Sequence, residues 1–338
     1  LKKKVTIAEI AAEAGVSIPT VSKVLNQRED VAPDTRRRVE EVIQLRRYIP
    51  SRVARALGSG LNAQIDLVVP AFDSDYTLEI VRGIEDMLSS TNMRLVFNST
   101  HDEALRERKW LNKIIDSSTD GALLLLPRAE SAYLETIVQR GLPIVVIDDR
   151  GVLPPTIPSV AATNWIGGMT ATEYLISLGH RRIAIICGPA TYISTKARLA
   201  GYRTALENAG LPIDPELIRP GTFRPPAGYE QTCALLQLPD PPTAIFACSD
   251  EQATGVYRAL YTHSKKIPDE ISVIGFDDVR FSNLMCPALT TIRQPLFEMG
   301  RLATNMLLQQ IRGKPLDSTR VELTTSLVIR ESCTAPAS

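Results

Sequence analysis

From residue 65 to residue 312 the chain alternates short apolar runs with stretches at helical spacing, and that alternation leaves few folds open. IDLVV (65–69), RLVF (94–97), ALLLL (122–126) and IVVI (144–147) suit buried parallel strands, with helical patterns between them at about 77–90, 103–117 and 131–140. A second set follows: IAIIC (183–187), AIFAC (244–248) and SVIGF (272–276), with helices near 167–178, 195–209, 251–262 and 299–312. Such a pattern predicts an α/β body of two doubly wound, parallel-sheet subdomains. At 338 residues the chain is too long for one core, and two to three packed units are expected.

The first sixty residues follow a different rule. Residues 5–26 read VTIAEIAAEAGVSIPTVSKVLN, two short helices joined at a glycine. Thr6 and Glu9 have the spacing of a capping box, and Ile7, Ile10, Ala11 and Ala14 recur on one helical face. Gly15 ends that helix, where a left-handed residue costs little. Ser17 is a suitable N-cap for the next helix, and Pro19 is tolerated in its first turn. Val21, Val24 and Leu25 turn inward, leaving Ile18, Pro19, Thr20, Ser22 and Lys23 on the outer side. A third helix begins near Pro33 and Asp34, burying Val39, Val42 and Ile43. This is the shape of a helix-turn-helix that can lay its second helix in a DNA major groove, placing the DNA-binding domain at the N-terminus.

Charge distribution agrees, though weakly. Net charge is zero, but residues 1–60 hold 12 Lys and Arg against 7 Asp and Glu, while the remainder holds 26 against 31. A basic head on a mildly acidic body suits a polyanion at one end only. The five cysteines are scattered and never form a C-x-x-C pair, which argues for a reducing compartment and against a disulfide framework or a zinc site. No membrane-length apolar run and no apolar segment behind the N-terminal lysines is present, so a cytoplasmic protein without a membrane partner is expected.

Ligands of doubly wound sheets bind beyond the carboxyl ends of the strands, here in the region facing a cleft between subdomains. The candidate pocket residues therefore stand at strand ends or just after them: Asp73, Tyr76, Asp148, Asn164, Trp165, Arg198, Ser249, Asp250 and Asp277. Carboxylates with one arginine and a tryptophan suit a polyhydroxylated ligand. Acidic oxygens and guanidinium hydrogens pair with vicinal hydroxyls, and an indole stacks on a sugar's C–H face. Asp278 reads as structural, and so does His180 in LGHRRIAIICG (178–188), which follows a helix end.

The string from Val5 to Asn26, with its central AGVS and TVSKVLN, resembles the DNA-binding head of the lactose-repressor (LacI/GalR) family. DVAPDTRRRVEEV and YIPSRVARAL resemble the same family's third helix and hinge helix, and the resemblance runs from about Val5 to Ser332. It implies a head over residues 1–49, a hinge over 50–60 and an effector-binding, dimerising body over 61–338 built like a periplasmic sugar-binding protein. Subdomain one would comprise about 61–161 and 293–323, subdomain two 162–292 and 324–332, joined by three crossings. DNA-facing residues would be Thr6, Ser17, Ile18, Pro19, Thr20, Ser22, Lys23 and Asn26 in the head, with Arg52, Ala54 and Leu57 in the hinge. Ile18 and Pro19 would face base edges, Lys23 one turn on would reach a guanine or a phosphate, and Thr20 and Ser22 would hold phosphates. Unlike members with polar residues there, this chain offers apolar contact at Ile18 and Pro19. Arg198 and the SVIGFD aspartate, Asp277, match effector-holding positions, whereas Ser249 stands where many relatives have Asn.

The resemblance implies a homodimeric repressor of a pseudo-palindromic double-stranded operator, released by a small carbohydrate effector, with no cofactor and no metal. Alternatives are a corepressor-activated regulator of the same family and, remotely, a solute-binding transport protein. An enzyme is not expected: there is no P-loop, no H-E-x-x-H and no nucleophile elbow, and the three histidines have no obvious partners. Paired Leu57 side chains would wedge between base pairs at the operator centre and kink the duplex. Leu57→Ala is accordingly expected to weaken operator binding, in a gel-shift or anisotropy titration, without disturbing effector binding; equal loss of both would contradict the hinge assignment.

Overall fold

The computed structural model describes residues 6–25, 28, 30–46, 62–115, 119–151 and 153–336. It divides into two compact units, Leu1–Gln64 and Ile65–Ser338. Asn26, Arg52, Ala54 and Leu57 lie outside the described residues.

The first unit is a three-helix head: α1 (Ile7–Ala14), α2 (Ile18–Leu25) and α3 (Pro33–Arg46). The capping box forms, with the Glu9 amide donating to Thr6 Oγ1 at 3.3 Å and the Thr6 amide to Glu9 Oε2 at 2.8 Å. Gly15 closes α1 at φ 65°, a left-handed conformation that a Cβ would strain. Ile10, Ala11, Ala14, Val21, Val24, Val31 and Val39 make the core, with Val42 and Ile43 half-buried against it. An ion pair between Arg46 and Glu13, 2.8 Å apart, fastens the end of α3 to α1.

The second unit runs β1 (Gln64–Val69), α4 (Asp75–Ser89), β2 (Arg94–Ser99), α5 (Ala104–Ile115), β3 (Gly121–Leu125), α6 (Ser131–Gln139), β4 (Ile144–Ile147) and β5 (Ser159–Ala162). The chain then enters a second sheet through α7 (Asn164–Ser177), β6 (Ile183–Ile186), α8 (Ile193–Asn208), β7 (Ile218–Arg219), α9 (Pro225–Leu236), β8 (Ala244–Ala247), α10 (Asp250–Thr262), β9 (Ser272–Asp277) and β10 (Thr290–Arg293). It returns by α11 (Leu296–Ile311) to β11 (Arg320–Leu323) and crosses a third time to β12 (Ser326–Val328). The sheet orders are β11-β5-β4-β3-β1-β2 and β12-β10-β9-β8-β6-β7. Pairings in the two sheets include parallel β1–β3, β3–β4, β6–β8 and β8–β9, with β12 antiparallel to β10.

The apolar runs are continuous because both faces of each sheet are covered. Leu67, Leu123 and Val145 pack under α4 and α11 against Ile80, Ile84 and Met299. Val68, Leu124 and Val146 point the other way, to Leu111 and Ile114 of α5 and Leu134 and Ile137 of α6. The second sheet repeats the plan, with Ile185, Phe246 and Phe276 on one side and Ile186, Ile245 and Val273 on the other.

Three connections pass between the sheets, at Thr163, at Gln294–Pro295 and at 324–325. Ala162 belongs to the first sheet and Arg293 to the second, so the subdomain boundaries lie within a residue of the sequence expectation. Strands β5, β7, β10, β11 and β12 and helix α9 escape the sequence reading. Those strands have two to four residues, and the helix opens with Pro225 and Pro226, which punctuate a sequence yet are harmless in a first helical turn. His180 is buried, its ring nitrogens bonded to Thr243 Oγ1 at 2.9 Å and Ser272 Oγ at 3.0 Å, and burial holds its pKa below the usual value. It joins strand starts.

Helices α4 and α11 approach until backbone meets backbone. A Cβ at Gly83 would lie 1.9 Å from the Phe297 carbonyl oxygen, and one at Gly300 would lie 2.1 Å from that of Ile80. Neither neighbour is a side chain that can swing aside. Gly83→Ala is therefore expected to lower the unfolding free energy by about 2 kcal/mol, read as a reduced urea midpoint of the full chain; an unchanged midpoint would mean that the contact yields.

Candidate functional site: a nucleic-acid interface and an effector cavity

On the head, Ile18 remains 47% exposed, although an isoleucine at the start of a helix would ordinarily be drawn into a core. Pro19 and Lys23 are exposed beside it, and Thr20 and Ser22 are half-buried. Ser17 caps α2, accepting from the Thr20 amide at 3.3 Å, with the Thr20 hydroxyl 2.9 Å away. Lys23 Nζ donates to Asp30 at 2.6 Å, and the resulting hydrogen bond holds the Asp30 carboxyl below its usual range. Two hydroxyls and an amine thus stand on one outer face around an apolar pair. That face can place donors on phosphates and an apolar surface against base edges.

In the body, a cavity of about 450 Å³ opens where the carboxyl ends of the two sheets meet. Both sheets, stripped of β11 and β12, have the order 2-1-3-4-5, and the cavity lies at their switch points between β1 and β3 and between β6 and β8. Its size falls within the range of small-molecule sites. Five lining residues hold positive φ without being glycine: His101 (51°), Asp102 (58°), Leu126 (48°), Asp148 (53°) and Asp277 (120°). Such conformations cost about 1–3 kcal/mol each and cluster where side chains must be aimed at a ligand.

Arg198, in the second turn of α8, is the centre of the floor. It is 3% exposed, and its Nε donates to Asn164 Oδ1 at 2.8 Å while Nη1 donates to the Cys248 carbonyl. Its guanidinium lies 3.7 Å from the Phe276 ring centroid and 5.3 Å from that of Phe223. Asp277 Oδ1 stands 3.9 Å from Nη2 and accepts from Gln294 Nε2 at 2.6 Å. Across the floor, Tyr76 donates to Asp148 Oδ2 at 2.7 Å. Burial pushes the carboxyls of both Asp148 and Asp277 up, with Arg198 opposing. Each aspartate retains lone pairs that a ligand hydroxyl can use.

The walls carry groups that the sequence reading did not single out. Asp102 accepts from Arg128 Nε at 2.9 Å and from Arg150 Nη2 at 2.5 Å. Burial raises its pKa, but the two arginines outweigh burial and hold it below the usual range. Arg150 stacks 4.4 Å over Tyr192, which meets Phe223 edge-on at 5.9 Å. At the mouth, Arg224 donates to Asp73 at 2.8 Å and to Glu251 at 3.1 Å, linking the two subdomains. These side chains sit in loops after β2, β3, β4, β6 and β7, except Glu251 in the first turn of α10. The strand-end rule that found Asp148 would have found His101, Asp102 and Arg150 if carried two residues further.

Of the nine expected pocket residues, Asp73, Tyr76, Asp148, Arg198, Ser249 and Asp277 line the cavity. Asn164 does not; it stands behind Arg198 and orients it. Trp165, one position on at the start of α7, is 42% exposed and outside the lining, because 100° of helical rotation takes it off Asn164's face. Asp250 is fully buried and turned away: it accepts from the Val279 amide at 3.0 Å, Ser282 Oγ at 2.5 Å and Thr291 Oγ1 at 2.6 Å. Ser249 lines the cavity, but its hydroxyl caps α10 at Gln252 and donates to the Phe223 carbonyl at 2.9 Å. Its work is to hold the Phe223 loop. Among the described residues no cluster of metal-ligating side chains occurs, and no helix is long and apolar enough to cross a membrane.

An α/β body with a cavity at paired switch points, carried on the same chain as a helix-turn-helix head, defines a ligand-responsive DNA-binding class. Residues 6–51 match the bacterial regulatory proteins of the lacI family, and residues 172–333 match the periplasmic binding protein-like domain. A ribose operon repressor of Halalkalibacterium halodurans is 33% identical over 330 residues, covering 97% of this chain and 96% of that protein. The HTH-type transcriptional repressor PurR of Haemophilus influenzae is likewise 33% identical over 330 residues, covering 97% and 98%. Among solved structures, the lac repressor dimer bound to operator and the anti-inducer ONPF is similar with a TM-score of 0.85 at 27% identity, covering 98% of this chain and 100% of that one. The transcriptional regulator CelR in its cellobiose complex is similar with a TM-score of 0.74 at 31% identity, covering 97% and 100%. The chain belongs to the LacI family of DNA-binding transcriptional regulators, and its body has the periplasmic-binding-protein fold.

Asp250 makes the body's stability depend on pH. Burial outweighs its three hydrogen bonds and pushes its pKa from 3.8 up to about 7. Between those values the folded state holds a proton that the unfolded chain has released, so this group's contribution falls as pH rises from 4 to 7. Asp250→Asn is expected to flatten that part of a pH series of urea midpoints; an identical slope in the variant would locate the titration elsewhere.

Proposed function

We propose that the protein is a homodimeric repressor that leaves a pseudo-palindromic operator when a small carbohydrate occupies the cavity. The observation that carries this reading is Arg198, a buried guanidinium 3.9 Å from the Asp277 carboxylate, which shares with Asp148 the floor of a site walled by Tyr192 and Phe223. A guanidinium and carboxylates recognise adjacent hydroxyls by complementary donors and acceptors, and aromatic faces accept the C–H side of a pyranose or furanose. Thr77 at the cavity wall offers no ring for a flat nucleobase to stack on. The ribose and cellobiose in the names of relatives point in the same direction.

Dimerisation follows from the DNA: two half-sites need two heads, and one head alone binds weakly. Leu78 of α4 and Leu105 of α5 are 45% and 83% exposed, and Phe72 and Phe97 pair edge-on at 5.6 Å with both rings partly exposed. These apolar side chains of the first subdomain support a second copy as the partner there. In the head, Lys23 exchanges Asp30 for a phosphate or a guanine edge, and Thr20 and Ser22 hold phosphates. The hinge carrying Arg52, Ala54 and Leu57 passes cavity occupancy to the DNA. An effector that prefers the released state lowers operator affinity by its differential affinity for the two states, and by no more.

Arg198→Ala removes charged hydrogen bonds worth about 1.5–3 kcal/mol, so effector affinity is expected to fall at least about tenfold. Operator binding should persist and become unresponsive to sugar. Fluorescence anisotropy on labelled operator, with a panel of mono- and oligosaccharides, checks both halves; a variant that still releases at wild-type sugar concentrations would show the ligand binding elsewhere.

A further inference from the structure

Two cysteines lie side by side beneath the effector cavity, where the site described above does not use their sulfurs. β6 and β8 are parallel neighbours in a register that pairs Ile186 with Ala247. The next positions are Cys187 and Cys248, and the ladder continues to them, since the Cys248 amide donates to the Ile186 carbonyl at 3.1 Å. Side chains at 187 and 248 share the face of Ile185 and Phe246, in one buried cluster with Tyr202 and Phe276. Neighbouring strands are about 4.8 Å apart, inside the Cα separation of about 4.4–6.8 Å that a disulfide spans.

The pair is asymmetric. The neighbouring Cys248 side chain, aided by the Arg203 charge, draws the Cys187 thiol below its usual range, while burial pushes Cys248 up. Cys187 is 6% exposed and Cys248 fully buried, so the more acidic thiol is also the more accessible one. The backbone of the same two residues is tied by hydrogen bonds to the groups that support the cavity floor. The Cys248 carbonyl accepts from Arg198, and Gln252 bridges the Cys187 carbonyl at 3.0 Å and the Cys248 amide at 2.8 Å.

We propose that Cys187 and Cys248 are a reversible oxidation site for hydroperoxides, forming a cross-strand disulfide that loosens the floor under Arg198. The Cys187 thiolate attacks one peroxide oxygen, the O–O bond breaks, and hydroxide leaves and is protonated to water. The resulting Cys187 sulfenic acid is attacked by the Cys248 sulfur. An S–S bond forms, and the sulfenic hydroxyl departs as a second water with the Cys248 proton. Two thiols have then lost two electrons and two protons to one peroxide. Strands in register hold the Cβ atoms further apart than a relaxed disulfide prefers, which makes the bond easily reduced, as a reversible site requires. Drawing the sulfurs together moves the Cys248 carbonyl and the Gln252 bridge, on which Arg198 and the start of α10 rest. The consequence for effector binding rests on the cavity reading; the disulfide itself does not.

The test uses the full chain treated with hydrogen peroxide, then digested without reduction and analysed by tandem mass spectrometry. A peptide pair linked through Cys187 and Cys248 is expected, and dithiothreitol should dissolve it. Hydrogen exchange of the oxidised protein should run about tenfold faster over 248–252 than in the reduced protein. In Cys248→Ala, Cys187 should stop at the sulfenic acid and be trapped by dimedone; the wild-type peptide map decides if that variant fails to fold. Oxidation of the exposed Cys286 with Cys187 and Cys248 left unlinked would overturn the proposal. So would a link that leaves exchange over 248–252 unchanged. Neither readout needs sugar or operator, so failure here is distinct from failure of the repressor reading.

Discussion

Arg198 carries a full charge at 3% exposure, a condition that persists only where hydrogen bonds and a π face replace the water it gave up. Asn164, the Cys248 carbonyl and the Phe276 ring supply that replacement, and each comes from a different element: the start of α7, the end of β8 and the interior of β9. The guanidinium therefore fixes three elements of the second subdomain relative to one another. Its incomplete partnership with Asp277, at 3.9 Å, leaves capacity for a ligand. Removing the arginine would leave Asn164 and the Cys248 carbonyl without their donor as well as emptying the floor.

The two sheets share one strand order, and each brings its switch point to the same cavity. Three short connections join them. Two lie together, with the Thr163 and Thr325 hydroxyls 3.1 Å apart and the Thr325 amide donating to Thr163 Oγ1 at 3.0 Å. The other carries Gln294, which holds Asp277. Contacts across the cleft are of another kind: the Arg224–Asp73 ion pair and the Arg150–Tyr192 stack at the walls. Arg224 and Asp73 are partly exposed, where an ion pair contributes about 0–1 kcal/mol, so a ligand spanning the walls has little to displace.

Much of this was legible in the sequence wherever a local rule decides the outcome. The capping box at Thr6 and Glu9, the stop at Gly15 and the buried strands all follow from hydrogen-bond supply and two-sided burial, which short segments encode. Arg198 and Asp277 were legible because the SVIGFD and STKARLAGY strings resemble family positions. Asp250 was misplaced because sequence does not tell which way a helix's first residue turns; three donors from Val279, Ser282 and Thr291, 29 to 41 residues away, draw it inward. Trp165 was placed by chemistry, yet the phase of α7 turns it out. Tyr192, Phe223 and Arg224 were missed because they sit in loops without periodicity, one of them after a strand of two residues.

The proposed function requires a thermodynamic link between the cavity and the operator, and such a link is reciprocal. Calorimetric titration of candidate sugars into the free protein and into its operator complex measures it directly. If sugar lowers operator affinity by some factor, the operator must lower sugar affinity by the same factor. Equal sugar affinities with and without operator would contradict the account.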